Sequence, residues 1–222
     1  MQTINHRVSP PSTSSDRVIA ANPYPDASST QNASLFTRLR ARRITGRRLF
    51  VFAVAAGLLV LAQPWGPTFV LGAMVVACGL VLRIWTFGHL RKNQDLVTSG
   101  PYAYTRNPAY LGSALVMIGL FLASGNPWTG AGIGVWCAGL VAVYIFFTRY
   151  MPRKYQREYG RLRALFGDAF ERHADNVPDF FPRLTRWRDA DTQRFQWACV
   201  RANHELIWPV VSALALGLVW LG

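Results

Sequence analysis

The densest run of polar and aromatic side chains in this sequence lies between Gln94 and Gly112, reading QDLVTSGPYAYTRNPAYLG. Its tyrosine hydroxyls and asparagine amide can exchange hydrogen bonds with a small ligand, and its rings can face one. Gly100-Pro101 and Asn107-Pro108 are turn signals. Pro108 suits the first turn of a helix, where a missing N–H costs nothing, and Asn107 is then placed to be the N-cap. On residue chemistry alone the run reads better as a helix start with interfacial tyrosines, which explains Tyr102, Tyr104 and Tyr110 without a ligand. No catalytic dyad is visible. The three cysteines, Cys78, Cys137 and Cys199, are scattered, with neither zinc spacing nor a disulfide framework.

The elements that must position this run are apolar. Hydrophobic residues make up 51% of the chain and charged residues 16%, and the basic residues fall between the apolar blocks. About five stretches qualify as helices: Leu49 to Trp65, Thr68 to Leu82, Tyr110 to Ala123, Gly130 to Phe147 and Ile207 to Leu221. Each is close to or a little short of a bilayer crossing, and Trp65, Trp85, Trp128, Tyr110 and Tyr150 stand at their ends to complete it. The formal charge of +13 invites a nucleic-acid reading, but the densest basic run, Arg38 to Arg48, directly precedes an apolar stretch and is better explained by topology and anionic lipid.

The turns Gln63 to Pro67 and Ser124 to Trp128 carry no charge. The segment before Leu49, Gly88 to Asn107 and Arg149 to Asn203 hold the basic residues. That bias predicts a cytosolic N-terminus, cytosolic long loops and a C-terminus outside. Residues 1–34, rich in Ser, Pro, Asn and Thr, read as a disordered cytosolic tail with no apolar core of a secretory signal, and 35–222 as one membrane domain. The short turns predict two antiparallel hairpins, formed by the first and second helices and by the third and fourth. Gly72, Gly79, Gly112, Gly119, Gly132 and Gly139 recur at heptad separation, so they either let backbones meet or simply face lipid. From Tyr155 to His173, Leu162, Leu165, Phe166 and Phe170 share one side of a charged helix that fits the cytosolic face.

GPYAYTRNPAYLG, followed about fifty residues later by REYGRLRALFGDAF and then VPDFFPRL, resembles the isoprenylcysteine carboxyl methyltransferase and phospholipid methyltransferase superfamily. The likeness runs from about Arg83 to Leu184. It implies an all-α polytopic membrane enzyme that uses S-adenosylmethionine, with Gln94, Asp95, Leu96, Val97, Tyr102, Asn107, Pro108, Ala109 and Tyr110 around the donor and Glu158 on its ammonium or another of its groups. By the same likeness Lys154, with Arg153 beside it, meets the substrate. This chain departs from the family pattern twice, with Asn107 where many members have His and Glu158-Tyr159 where the pattern has paired glutamates.

Methyl transfer from a sulfonium is an in-line displacement that needs no metal, so alignment in a water-excluding site is the main demand. The acceptors compatible with the scaffold are a prenylcysteine carboxylate, a phospholipid amine and a small thiol, reached from the membrane lipid. Arg83 reads as a snorkelling residue at the end of its helix or as part of the site frame, and His89 as interfacial or as a site residue. Asn203 and Glu205 read as caps of the last helix or as a closing wall of the site. The competing functions are an NADPH-dependent membrane reductase and a relative that has lost activity.

Overall fold

The computed structural model describes residues 57, 60–91 and 95–221, and every regular element among them is helical. The expected disordered tail, the basic run Arg38 to Arg48 and most of the Leu49 to Trp65 helix lie outside the described residues. The elements are α1 (Gly66–His89), a 3-10 turn (Gly100–Ala103), α2 (Pro108–Ser124), α3 (Gly130–Ile145), a π turn (Phe146–Tyr150), α4 (Met151–Asn176), the short α5 (Trp197–Ala202) and α6 (Ile207–Leu221).

Among the described residues two helices are long and apolar enough to cross a membrane: α1, and the continuous helix Gly130–Asn176 through its α3 half. Helices α2 and α6 are apolar but shorter, at 17 and 15 residues. Large apolar side chains face outward on α1, α3 and α6, among them Val81, Leu140 and Leu214. A core helix of a water-soluble protein would hide them, so lipid is the solvent these faces fit.

Helix α1 extends past the expected end at Leu82 to His89. The polar residues that end the apolar pattern point inward: Thr86 is fully buried and bonds back to Leu82 O at 2.7 Å. The closest packing joins α1 to α2, across the motif loop, rather than α2 to α3 within the expected hairpin. Its cause is a pair of backbone approaches. A Cβ on Gly72 would lie 2.5 Å from Gly119 O, and one on Gly79 would lie 2.7 Å from Gly112 O. These four glycines are therefore contact residues and do not face lipid.

At one end of the bundle the two uncharged turns meet: Gln63 N–H donates to Ser124 O at 2.9 Å, and the rings of Trp65 and Trp128 lie edge to face at 6.2 Å. At the other end the motif loop meets the segment after α4. Arg106 N–H bonds to Pro178 O, Arg183 N–H to Tyr104 O, Trp187 N–H to Ala103 O and Gln196 N–H to Gly88 O. Between α3 and α4 the chain does not break. Pro152 has no N–H to continue the α ladder, and the turn before it widens so that Met151 N–H reaches Phe146 O.

Candidate functional site

Tyr110, in the first turn of α2, is the hinge of the site. Its hydroxyl donates to the Glu158 carboxylate of α4, lying 3.1 and 3.2 Å from the two oxygens. Lys154, one turn before Glu158, lies 3.7 Å from the same carboxylate and 5.7 Å from the Tyr110 ring centre. One hydroxyl hydrogen satisfies only part of a carboxylate's acceptor capacity, and Glu158 keeps 44% of its side chain exposed. The Tyr155 ring stands edge to face with Tyr110 at 5.8 Å and stacks on Tyr159 at 5.5 Å with a 3° interplanar angle. A carboxylate with acceptor sites to spare beside a row of aromatic faces is a place for a cation.

Tyr102 belongs to this electrostatic environment. Burial pushes its phenol above the usual tyrosine range, and the negative charges of Glu158 and Glu205 push it further. Burial also raises Tyr155 and Tyr159, with the Asp179 carboxylate adding to both. These tyrosines stay protonated, as hydrogen-bond donors, across the physiological range.

Asn107 occupies the N-cap position of α2, yet its side chain does not cap the helix. The amide turns away, and Nδ2 donates to Tyr159 Oη at 2.7 Å and to Asp179 O at 2.9 Å. Tyr159 Oη in turn donates to Asp179 Oδ1 at 2.6 Å. The two departures from the family pattern are thus direct partners. Asp179 also pairs with Arg106, whose guanidinium lies 5.1 Å from the centre of the Tyr159 ring. Thr105 Oγ1 bonds to the carbonyls of Asp179 and Phe180, both at 3.1 Å.

The remaining expected site residues fall in several settings. Gln94 lies outside the described residues. Asp95 is exposed and 4.0 Å from Arg91 on the solvent side. Val97 and Pro108 are buried, Leu96 and Ala109 partly so, and Arg153 is exposed. His89, the last residue of α1 rather than a residue beyond it, is 7% exposed, and its Nδ1 meets Trp85 O at 3.0 Å. Gly100 has φ +58°, and a Cβ there would lie 2.7 Å from His89 Nε2, so the loop needs glycine on both counts.

Arg83 does not snorkel. It is half-buried against the buried Glu205, Nη2 to Oε2 at 2.7 Å and Nε to Oε2 at 3.0 Å, while Nη1 donates to Ser113 Oγ at 2.5 Å. The Phe87 and Trp208 rings lie 5.4 and 5.2 Å from its guanidinium carbon. The expected caps of the last helix are otherwise engaged: Glu205 holds Arg83, and Asn203 Nδ2 bonds to Cys199 O at 2.8 Å, closing α5. Reading the sequence did not find Ser113, Arg106, Asp179 or the structural part played by Tyr159. Their only local signals are that Arg106 adjoins Asn107 in the motif and that Asp179 sits in VPDFFPRL. Among the described residues no three His, Cys, Asp or Glu side chains are grouped as a metal site requires.

The family described as phospholipid methyltransferase matches this chain over residues 67–161. The cobalt-zinc-cadmium resistance protein CzcN of Cupriavidus metallidurans is 33% identical over 162 residues, covering 69% of this chain and 70% of that protein. The nickel-cobalt-cadmium resistance protein NccN of Alcaligenes xylosoxydans xylosoxydans is 27% identical over 162 residues, covering 69% of this chain and 71% of that protein. A protein-S-isoprenylcysteine O-methyltransferase of Schizosaccharomyces pombe is 27% identical over 122 residues, covering 51% and 46%. No solved structure matches the chain.

Proposed function

Because the chain belongs to the phospholipid methyltransferase family, we propose that it is an integral membrane enzyme that methylates a lipidic or small apolar acceptor, with S-adenosylmethionine as donor. The observation that carries this reading is the Glu158 carboxylate, held by Tyr110 and faced by tyrosine rings with acceptor sites to spare. S-adenosylmethionine supplies, when bound, a sulfonium methyl group open to in-line attack and an ammonium that a carboxylate can hold. Glu158 would hold that ammonium, and Tyr102, Tyr110 and Asn107 would line the same end of the bundle. Lys154 and Arg153 would meet the polar end of the acceptor, Lys154 as a point charge rather than a bidentate fork. No side chain has to move a proton for the displacement itself. The packed loop and the aromatic rings would align the reactants, and alignment is where most of the acceleration arises.

Arg106 and Arg183 stand at the end that holds Glu158, which on the positive-inside rule would face the cytosol, and the basic bias of the sequence before Leu49 would put the N-terminus of a multi-pass chain on the same side. Calorimetric titration of the purified protein with S-adenosylhomocysteine and with NADPH tests the reading. The product analogue is expected to bind and the nicotinamide not, and binding of NADPH alone would replace this function with a reductase. Glu158→Gln is expected to weaken S-adenosylhomocysteine about ten- to a hundredfold in a folded protein, the value of a charge-assisted bond. Retained donor binding with no methyl transfer to any extracted lipid or thiol would mark a relative without activity. Profiling of a deletion strain for species lighter by one CH₂ then identifies the acceptor.

A further inference from the structure

We propose that Asp179 is a positioning residue for Glu158, acting with Asn107, Arg106 and Tyr159 as a clamp that sets the rotation of α4; this rests on Glu158 holding the donor. Asp179 lies beyond the family match at residue 161 and outside the residues that the resemblance assigns to the donor.

Helix α4 is broken at Gly167. That residue has φ +46° and ψ −123°, so α4 is two helical pieces whose backbone ladder is interrupted between them. The second piece is anchored: Phe170 and His173 are buried, and His173 Nε2–H donates to Tyr102 O at 2.9 Å. The first piece carries Lys154 and Glu158 and is mostly exposed. Its start is continuous with α3 through the widened turn, but at Gly167 its far end loses the ladder to the anchored piece, so side chains are what tie that end to the motif loop.

Asp179 supplies the fixed point with both of its acceptor groups. Its carbonyl takes Asn107 Nδ2 at 2.9 Å and Thr105 Oγ1 at 3.1 Å, which locks residue 179 to the motif loop. Its carboxylate takes the Tyr159 hydroxyl at 2.6 Å and pairs with Arg106. Asn107 closes the circuit by giving its second hydrogen to Tyr159 Oη at 2.7 Å. Tyr159 follows Glu158 directly, so their side chains leave the helix ~100° apart. Holding one azimuth holds the other. The stack of Tyr155 on Tyr159 and the edge contact of Tyr155 with Tyr110 carry the same constraint to the hydroxyl that bonds Glu158.

A clamp that works through Glu158 predicts a specific non-additivity, read as binding of S-adenosylhomocysteine by calorimetry. Tyr159→Phe, which keeps the stacked ring and removes only the hydroxyl, and Asp179→Asn are each expected to weaken binding about three- to tenfold, the scale of one or two hydrogen bonds. In a Glu158→Gln background the same changes are expected to have no further effect, because the group they orient no longer holds the ammonium. Hydrogen exchange on the donor-free protein supplies a second readout, in which Asp179→Asn should raise exchange in residues 151–166 and leave 168–176 protected. Losses that persist undiminished with Gln at position 158, or wild-type affinity and exchange in both variants, overturn the clamp. Wild-type protein that binds no S-adenosylhomocysteine overturns the methyltransferase reading, and the clamp's role falls with it.

Discussion

The Arg83–Glu205–Ser113 cluster and the Asp179–Tyr159–Asn107 cluster use similar groups in opposite surroundings. Arg83 and Glu205 keep only 14% and 5% of their side-chain surface, whereas Asp179 keeps 48% beside an Arg106 at 15%. The enclosed pair joins α1, α2 and the turn before α6, since its partners come from each of them. The exposed cluster joins a loop, half a helix and a returning segment. Burial makes an ion pair indispensable once it exists without making it strongly stabilising, because desolvation offsets the attraction. Exposure makes each bond weak, so a network with shared acceptors is needed to hold one orientation. The first arrangement suits a frame and the second suits the alignment of a ligand group.

The largest expected effect lies in the frame. Arg83→Met leaves Glu205 buried without its guanidinium and is expected to cost about 3–5 kcal/mol of stability in detergent, the usual penalty for an orphaned buried charge. The paired change Arg83→Met with Glu205→Leu should recover most of that loss, because no charge then remains to desolvate. Thermal unfolding followed by circular dichroism measures both. If the single change costs no more than an exposed substitution does, the contrast between the two clusters collapses.

A smaller effect is expected from His173, which ties the second half of α4 to the motif loop. Burial holds its imidazole below the ordinary histidine range, the nearby Arg106 charge acts in the same direction, and the bond to Tyr102 O opposes both in part. A histidine whose folded pKa is depressed stabilises the fold above the unfolded value of about 6.5, and that contribution is lost as pH falls below it toward the folded pKa. Melting temperature should therefore drop on acidification from pH ~7 to ~5. His173→Gln, which keeps a donor for Tyr102 O but cannot titrate, should flatten that slope. An identical pH profile in the variant would place the acid sensitivity elsewhere.

How much of this was legible in the sequence depended on distance along the chain. The apolar run Ile207–Leu221 follows the polar His204 and Glu205 closely, and its start matches the structure. Helix α1 outran its apolar pattern because Arg83, Thr86 and His89 face protein, and a hydropathy reading treats inward polar groups as an end. The family resemblance assigns Glu158 and Tyr110 to one donor site, and the structure brings the two side chains together. Arg83 and Glu205 are 122 residues apart with no pattern to connect them. The hardest case was position 159, where a tyrosine in place of a glutamate looks like a lost ligand. Its hydroxyl is legible as a gain only once Asn107 and Asp179 are seen beside it.

The smallest expected effect tests the exposed half of the comparison at its weakest bond. Lys154 and Glu158 are one turn apart on α4, 3.7 Å from each other, with 46% and 44% of their side chains exposed. Pairs of this kind contribute about 0.3–0.5 kcal/mol to a helix and lose even that in salt. Lys154→Gln should therefore leave the melting temperature within about a degree of wild type. It should also leave S-adenosylhomocysteine affinity nearly unchanged, because Tyr110 rather than Lys154 sets the Glu158 carboxylate. If Lys154 meets the acceptor, the variant should instead raise KM for the acceptor while the donor constant stays put. A donor affinity that falls as far in Lys154→Gln as in Tyr159→Phe would show that Glu158 is oriented by charge from its own helix. The clamp through Asp179 would then be unnecessary, and the exposed cluster would differ from the buried one only in strength.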